Sequence, residues 1–139
     1  TDNMGHLLKK LTSMVYISPE SGSKKSLRTL QKPFHLENIY QAAQILHQHG
    51  INSTAHYILN IPGENSQDWV QTFSLAWNLY SKFGIYPRFQ NFVSLENQLI
   101  KDDHMHNFYD RFSIMNSQNI DLIKYYIRFM LKIKSTEHL

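Results

Sequence analysis

Two strand-like runs joined by one well-marked helix constrain the fold of this chain more than any other feature. Residues 14–17 form a continuous apolar run, residues 53–59 form a second run, and small polar residues follow both. Between them, the apolar residues of 36–49 recur at helical spacing and stop at Gly50. This order is typical of parallel sheets, which bind their ligands at the carboxyl ends of the strands. We therefore expect an α/β fold with a ligand site at those ends.

A second helix and a third strand follow. Residues 67–83 have helical spacing, with Asn65 or Ser66 as the predicted cap and Gly84 as the stop. The apolar stripe predicted for this helix consists of Val70, Phe73, Trp77 and Tyr80. Residues 88–93 are then the third strand, so the chain is expected to contain about three parallel strands with crossover helices. The run at 14–17 is apolar throughout, which predicts a strand covered on both faces.

The sequence changes character after residue 100. A charged link precedes a predicted helical piece at 108–115, and an amphipathic helix ends the chain. Its expected apolar stripe consists of Ile120, Ile123, Ile127 and Met130. We therefore predict an α/β unit at 1–100 and a helical C-terminal extension at 101–139.

Composition excludes several classes of protein. The formal net charge is +3 and the basic residues are spread along the chain, so neither nucleic acid nor a membrane is an expected partner. No apolar run approaches the roughly 18 residues of a spanning helix, and a cytoplasmic location is expected. The absence of cysteine excludes disulfides, thiolate nucleophiles and thiolate metal sites within these 139 residues.

Two histidine pairs have a spacing that is also found among metal ligands. His47 and His49 lie two apart on a predicted helix and point to different sides, so they cannot readily share an ion. His104 and His106 could share one only on an extended segment, and no third ligand is obviously fixed nearby. We therefore predict no metal site within this chain.

The residues at the predicted strand ends could carry chemistry. His56, Ile58 and Asn60 alternate along the second strand and should share a face. His56 is either a core histidine with a satisfied hydrogen bond or a ligand contact. Glu20 directly follows an apolar strand, where a carboxylate must be either solvated or bound to a polar partner such as a hydroxyl.

Five motifs follow one another between residues 15 and 99. They are Ser18-Pro19-Glu20-Ser21-Gly22-Ser23, Leu27 to Lys32, His49-Gly50-Ile51, Ile58-Leu59-Asn60-Ile61-Pro62-Gly63-Glu64, and Asn65 to Thr72. Together they resemble the second half of the radical S-adenosylmethionine (radical SAM) core domain, in particular its cobalamin-associated and coproporphyrinogen-oxidase-like branches. That family has Gly-Ile-Glu-Ser-Gly, Leu-x-x-x-Lys or Arg, Gly-Ile, Ile-x-Gly-x-Pro-Gly-Glu and a capped helix in the same order and at the same spacing.

The resemblance implies a fold and an activity. Residues 1–100 would be the C-terminal half of a partial (β/α) barrel, supplying its fourth, fifth and sixth strands. The cofactors implied are S-adenosylmethionine (SAM) and a [4Fe-4S] cluster, which together cleave SAM reductively to a 5′-deoxyadenosyl radical. The cluster ligands of the family lie in a Cys-x-x-x-Cys-x-x-Cys loop that this sequence does not contain. The missing N-terminal half of the barrel is therefore the expected partner, together with a small-molecule substrate.

The resemblance also implies which residues contact SAM. Glu20, helped by Ser23, would bind the ribose, and Lys32 would pair with the methionine carboxylate. The remaining contacts, around the ribose and adenine, would come from His56, Asn60, Val93 and Ser94.

The chain departs from the family pattern at some of these positions. Asn60 stands where the family has a glycine, and His56 stands where a small or acidic residue is usual. The sixth strand is followed by Ser94-Leu95-Glu96-Asn97-Gln98 in place of Pro-x-Pro-Gly-Thr. Two other interpretations stay open: a non-catalytic half-barrel that binds a ligand or a protein, and an unrelated small α/β domain.

Overall fold

Three strands and five helices make up the part of the chain that the structure describes. The computed structural model describes residues 2–11, 14–32, 35–92 and 114–137. In chain order the elements are α1 (Asp2–Leu11), β1 (Met14–Glu20), α2 (Lys24–Thr29), α3 (Leu36–Gln48), β2 (Asn52–Leu59), α4 (Ser66–Phe83), β3 (Tyr86–Asn91), a 3₁₀ turn (Ile114–Asn116) and α5 (Ile120–Glu137). Residues 108–113 of the predicted helical piece lie outside the described ranges.

The strands form one parallel sheet in the order β1-β2-β3. Tyr16 pairs with Thr54 across β1 and β2, and His56 pairs with Arg88 across β2 and β3. Each strand is followed by helix before the next strand begins, as in repeated β-α units. The predicted α/β class with three parallel strands is confirmed.

Local signals in the sequence set the ends of α3 and α4 correctly. The Asn65 side chain accepts hydrogen bonds from the backbone N–H of Gln67 and Asp68, and the Asp68 carboxylate accepts one from the Asn65 N–H. This reciprocal pair satisfies donors at the helix start that would otherwise lack partners. Gly50 and Gly84 follow the two helices with φ of 62° and 67°, a conformation that costs glycine little.

The two faces of the sheet differ in burial. On β2 the odd-numbered residues Ala55, Tyr57 and Leu59 are buried in a core that also contains Ile39 of α3 and Leu79 of α4. On the opposite face several side chains are exposed or half-buried, and we call this the open face: Tyr16, His56, Ile58, Arg88 and Gln90. Within the described residues the prediction that β1 is covered on both faces is therefore wrong, since Tyr16 on the open face is 64% exposed.

The apolar stripes predicted for α4 and α5 are rotated from the faces that are buried. On α4, Val70 is 46% exposed, whereas Trp69 and Leu79 are buried. On α5, Ile120 is 67% exposed, and the buried residues are Leu122, Phe129 and Ile133. Each helix packs against more than one neighbour, so its buried surface is wider than a single stripe. Aromatic rings fill the junction of these two helices with β3, and Phe89 lies 5.1 Å from Phe73 and 5.3 Å from Phe129 between ring centroids.

Candidate functional site

The chain turns sharply at the carboxyl end of β1, where Glu20 has a φ of 68°. Its side chain is 15% exposed, and its Oε1 lies 3.8 Å from the Lys32 Nζ. Burial raises the pKa of the Glu20 carboxyl, while the positive charge of Lys32 acts in the opposite direction. At 3.8 Å the ion pair is too long for a good hydrogen bond. The carboxylate therefore keeps oxygen lone pairs for a further donor, and the structure brings two of the predicted contacts, Glu20 and Lys32, together.

Asn60 occupies the equivalent position at the end of β2. It directly follows the strand, is exposed, and has a φ of 62°. This left-handed conformation is easiest for glycine, and asparagine tolerates it better than most other residues. Asn60 therefore occupies a backbone position that would also suit glycine, and it places an amide at the strand end. Because the chain turns here, Asn60 does not continue the alternation of His56 and Ile58.

His56 lies on the open face and is half-buried. Its ring makes an edge contact with Tyr16, with 5.6 Å between centroids, and its Nε2 is buried without a hydrogen bond among the described residues. Burial, followed by the positive charge of Arg88, lowers the pKa of His56 below its ordinary value of 6.5, so the imidazole is neutral at pH 7. Among the described residues, the Nε2 of His56 therefore lacks the satisfied hydrogen bond expected of a core histidine.

Ser23 has a different environment from the other predicted contacts. It is 1% exposed, and its hydroxyl donates to the Asp68 Oδ1 at 2.6 Å and accepts from the Ser26 N–H at 3.2 Å. It caps α2 in this way. The structure thus places Ser23 inside the protein, with its hydroxyl bound to Asp68 and to the Ser26 N–H.

Ser23 belongs to a buried polar network that joins the loop after β1 to the loop after β2 and the start of α4. We call this network the loop clasp, and its members are Ser21, Ser23, Ser26, Glu64, Asp68 and Thr72. The Ser21 and Thr72 hydroxyls lie 3.0 Å apart, and the Ser26 hydroxyl donates to Glu64 at 2.9 Å. Glu64 also accepts from the Ile61 N–H at 2.7 Å, which fixes the turn after β2.

Charge reinforces the loop clasp. The Lys25 Nζ lies 2.7 Å from the Asp68 Oδ2. Burial alone would raise the pKa of Asp68, but hydrogen bonds from Lys25, Ser23 and the Asn65 N–H outweigh it and hold the pKa below its ordinary value of 3.8. Burial raises the pKa of Glu64 despite its hydrogen bonds. Asp68 is therefore the firmly ionised member of the network.

Gly22 brings the two loops into direct contact. Its N–H donates to the Thr72 hydroxyl at 3.0 Å, and a Cβ at Gly22 would lie only 2.3 Å from the backbone oxygen of Gln71. Only glycine allows α4 to approach the loop so closely. Sequence reasoning assigned no role to Gly22, Asp68 or Thr72 in joining the loops. The sequence did contain a clue to this contact, because the two motifs that hold these residues, Ser21-Gly22-Ser23 and Glu64 to Asp68, contact each other in the structure.

The other sequence predictions fall into two groups. Val93 and Ser94 lie outside the described residues. Within the described ranges, no group of three or more histidine or acidic residues could hold a metal ion, and no helix is long and apolar enough to cross a membrane.

Comparison with known proteins adds no relative, since no protein-family model and no curated protein matches the chain.

Proposed function

We propose that this chain is the C-terminal part of a radical SAM enzyme core and binds SAM at the carboxyl ends of β1 and β2. The observation that carries the proposal is the half-buried Glu20 carboxylate, only loosely paired with Lys32, at the end of a parallel strand. Glu20 would accept hydrogen bonds from the ribose hydroxyls. Lys32 would move from Glu20 to the methionine carboxylate. At hydrogen-bond distance that carboxylate would bind the ammonium group more strongly than Glu20 does at 3.8 Å.

The residues of this chain fit SAM in part. Glu20, Lys32 and Asn60 have polar groups available at the strand ends, and His56 offers a neutral imidazole on the open face. Ser23 does not fit, because its hydroxyl is bound inside the loop clasp. We therefore replace the predicted pair of Glu20 and Ser23 with Glu20 alone at the ribose.

The [4Fe-4S] cluster does not fit this chain, because the sequence contains no cysteine. We assign it to the N-terminal half of the barrel, the expected partner. Bound SAM would supply the 5′-deoxyadenosyl group of the family's chemistry. The residues of this chain would hold its ribose and carboxylate, and the open face would line the barrel interior where a substrate lies. A cytoplasmic location is part of the same proposal.

The absence of cysteine also favours a second candidate, a non-catalytic half-barrel that binds a nucleotide-like ligand or a protein. The two candidates differ in what they require of a ligand. A SAM site needs the methionine carboxylate as well as the nucleoside, whereas a nucleotide-like site does not need the amino acid. Comparing SAM with 5′-methylthioadenosine, which lacks the amino acid portion, therefore separates them.

Isothermal titration of the purified chain with both compounds tests the proposal. We expect SAM to bind more tightly than 5′-methylthioadenosine, and Glu20→Gln to weaken SAM binding about tenfold, the effect of losing a hydrogen bond to a charged group. Glu37→Gln is the matched control, because Glu37 is an exposed carboxylate in the first turn of α3.

Equal binding of the two compounds would support the second candidate. No binding of SAM at millimolar concentration, or an equal loss in Glu20→Gln and Glu37→Gln, would overturn the proposed SAM site.

A further inference from the structure

A cavity of about 710 Å³ lies between α2 and the start of α3. Two leucines form its apolar part, the buried Leu27 and the half-buried Leu36. The other lining side chains are polar or charged: Lys24, Arg28, Lys32, His35 and Glu37. The cavity therefore combines an apolar wall with an excess of positive charge.

Two of the positive charges around this cavity, those of Lys24 and Arg28, have no ion-pair partner among the described residues. Lys24 and Arg28 are four residues apart on α2 and so are neighbours on one side of the helix, an arrangement that destabilises a helix when the charges are alike. Neither forms an ion pair with a described residue, whereas the adjacent Lys25 has Asp68 at 2.7 Å. Of the described residues that line the cavity, Glu37 is the one carboxylate. An anion between Lys24 and Arg28 would relieve their repulsion.

We propose that this cavity binds a small ligand that carries a phosphate group beside an apolar ring. Arg28 would bind the phosphate through two N–H groups in the plane of its guanidinium, and the Lys24 ammonium would add a second positive charge. Leu27 and Leu36 would contact the ring, as apolar side chains do in most small-molecule sites. This inference goes beyond the proposed SAM site, because SAM has no phosphate. Lys32 lines the cavity as well, but it is assigned to the SAM carboxylate, and the phosphate is assigned to Lys24 and Arg28.

The choice of a phosphate over a single carboxylate follows from the two cations of α2. Lys24 and Arg28 have no ion-pair partner among the described residues, whereas Lys32 lies 3.8 Å from Glu20. A carboxylate has two oxygens, which one bidentate arginine already occupies, whereas a phosphate has a further oxygen and a second charge for Lys24. A nucleoside diphosphate also supplies the ring, so adenosine diphosphate is a suitable probe.

Isothermal titration with adenosine diphosphate at low salt tests this proposal. We expect binding that is tighter than that of adenosine or of inorganic pyrophosphate alone, because each of these lacks one half of the ligand. The double variant Lys24→Gln/Arg28→Gln should bind adenosine diphosphate at least tenfold more weakly. The matched control is Lys124→Gln/Arg128→Gln, which removes an exposed lysine and arginine at the same spacing on α5.

A loss of affinity in the α2 variant alone would support the cavity as the site. An equal loss in both variants would mean that only net charge matters and would overturn the proposal, as would the absence of binding. Circular dichroism checks that both variants fold. Binding of SAM without adenosine diphosphate would overturn this proposal alone, and the reverse result would overturn the SAM site alone.

Discussion

The loop clasp and the strand ends are built from neighbouring residues of the same motifs, yet they use their polar groups in opposite ways. In the loop clasp, Ser23 and Asp68 bind each other at 2.6 Å and are almost completely buried. At the strand ends, Glu20 has only Lys32 at 3.8 Å among the described residues, and Asn60 is exposed. Glu20 and Ser23 are three residues apart, so a small change of position along the chain separates a residue that holds the loops from one that can meet a ligand.

This difference shows how the two loops can be held in place while the strand ends stay open. A buried hydrogen bond is expensive to lose, because the remaining partner keeps its desolvation cost. A half-buried carboxylate with a long ion pair loses less free energy when that pair is broken, so it can exchange its partner. Substitutions in the loop clasp should therefore change stability, and substitutions at the strand ends should mainly change binding.

The largest effect is expected for Gly22→Ala. The added methyl group would lie 2.3 Å from the Gln71 backbone oxygen, so α4 or the loop must move. We expect a loss of about 3 kcal/mol in the free energy of unfolding, the upper end of the usual cost of overpacking, measured by urea denaturation. Gly63→Ala is the control. Its φ is 85°, but a Cβ there meets no atom within 4 Å, so it should cost about 1 kcal/mol. Similar losses in both variants would contradict the close contact at Gly22.

A somewhat smaller effect is expected for Asp68→Asn, which weakens the bonds to Lys25 and Ser23. The loss at pH 7 should be about 2 kcal/mol, since these are hydrogen bonds to a charged group. The pKa of Asp68 is lowered on folding, so its stabilising effect is present above its ordinary pKa of 3.8 and disappears as the pH falls through the lower folded value. Urea denaturation from pH 7 downward should show the two proteins converging. A constant difference at every pH would contradict the ionised role of Asp68.

At the end of β2, the backbone conformation and the amide of Asn60 can be separated by two substitutions. Asn60→Gly suits a φ of 62° and should leave stability nearly unchanged, whereas Asn60→Ala should lose about 1 kcal/mol. Thermal unfolding of both variants checks the expectation. If Asn60→Gly lowers stability more than Asn60→Ala does, the amide of Asn60 and not the backbone conformation determines the residue at this position.

The smallest effect on stability is expected for Glu20→Gln. Burial raises the pKa of Glu20 on folding, so ionisation works against the folded state, and the effect grows as the pH rises through the ordinary value of 4.5. At pH 7 the variant should be as stable as the natural chain or more stable by up to about 1 kcal/mol. A clear loss of stability in urea denaturation at pH 7 would place Glu20 with the loop clasp.

Features set by local sequence were predicted well. The cap at Asn65 and the stops at Gly50 and Gly84 depend on backbone geometry that nearby residues determine. The parallel order of the strands followed from their spacing. Features set by several elements at once were missed: the buried sides of α4 and α5 depend on two neighbours each, and Val70 and Ile120 are exposed despite their helical spacing.

The candidate site divides in the same way. That Glu20 and Asn60 lie at strand ends could be predicted, because each directly follows a strand-like run. That Ser23 is used by Asp68, 45 residues later, could not, because the bond depends on how two loops meet. The family resemblance named both serine and glutamate as ribose contacts, and only the three-dimensional structure separates them.

Chemical-shift mapping with SAM tests the central claim most directly. The backbone amides of the ¹⁵N-labelled chain would be followed as SAM is added. If the strand ends form the site, the signals of Glu20, Lys32 and Asn60 will shift with one common affinity, while those of Ser21 and Thr72 in the loop clasp stay in place. No shifts at the strand ends, or shifts confined to α5, would contradict the account.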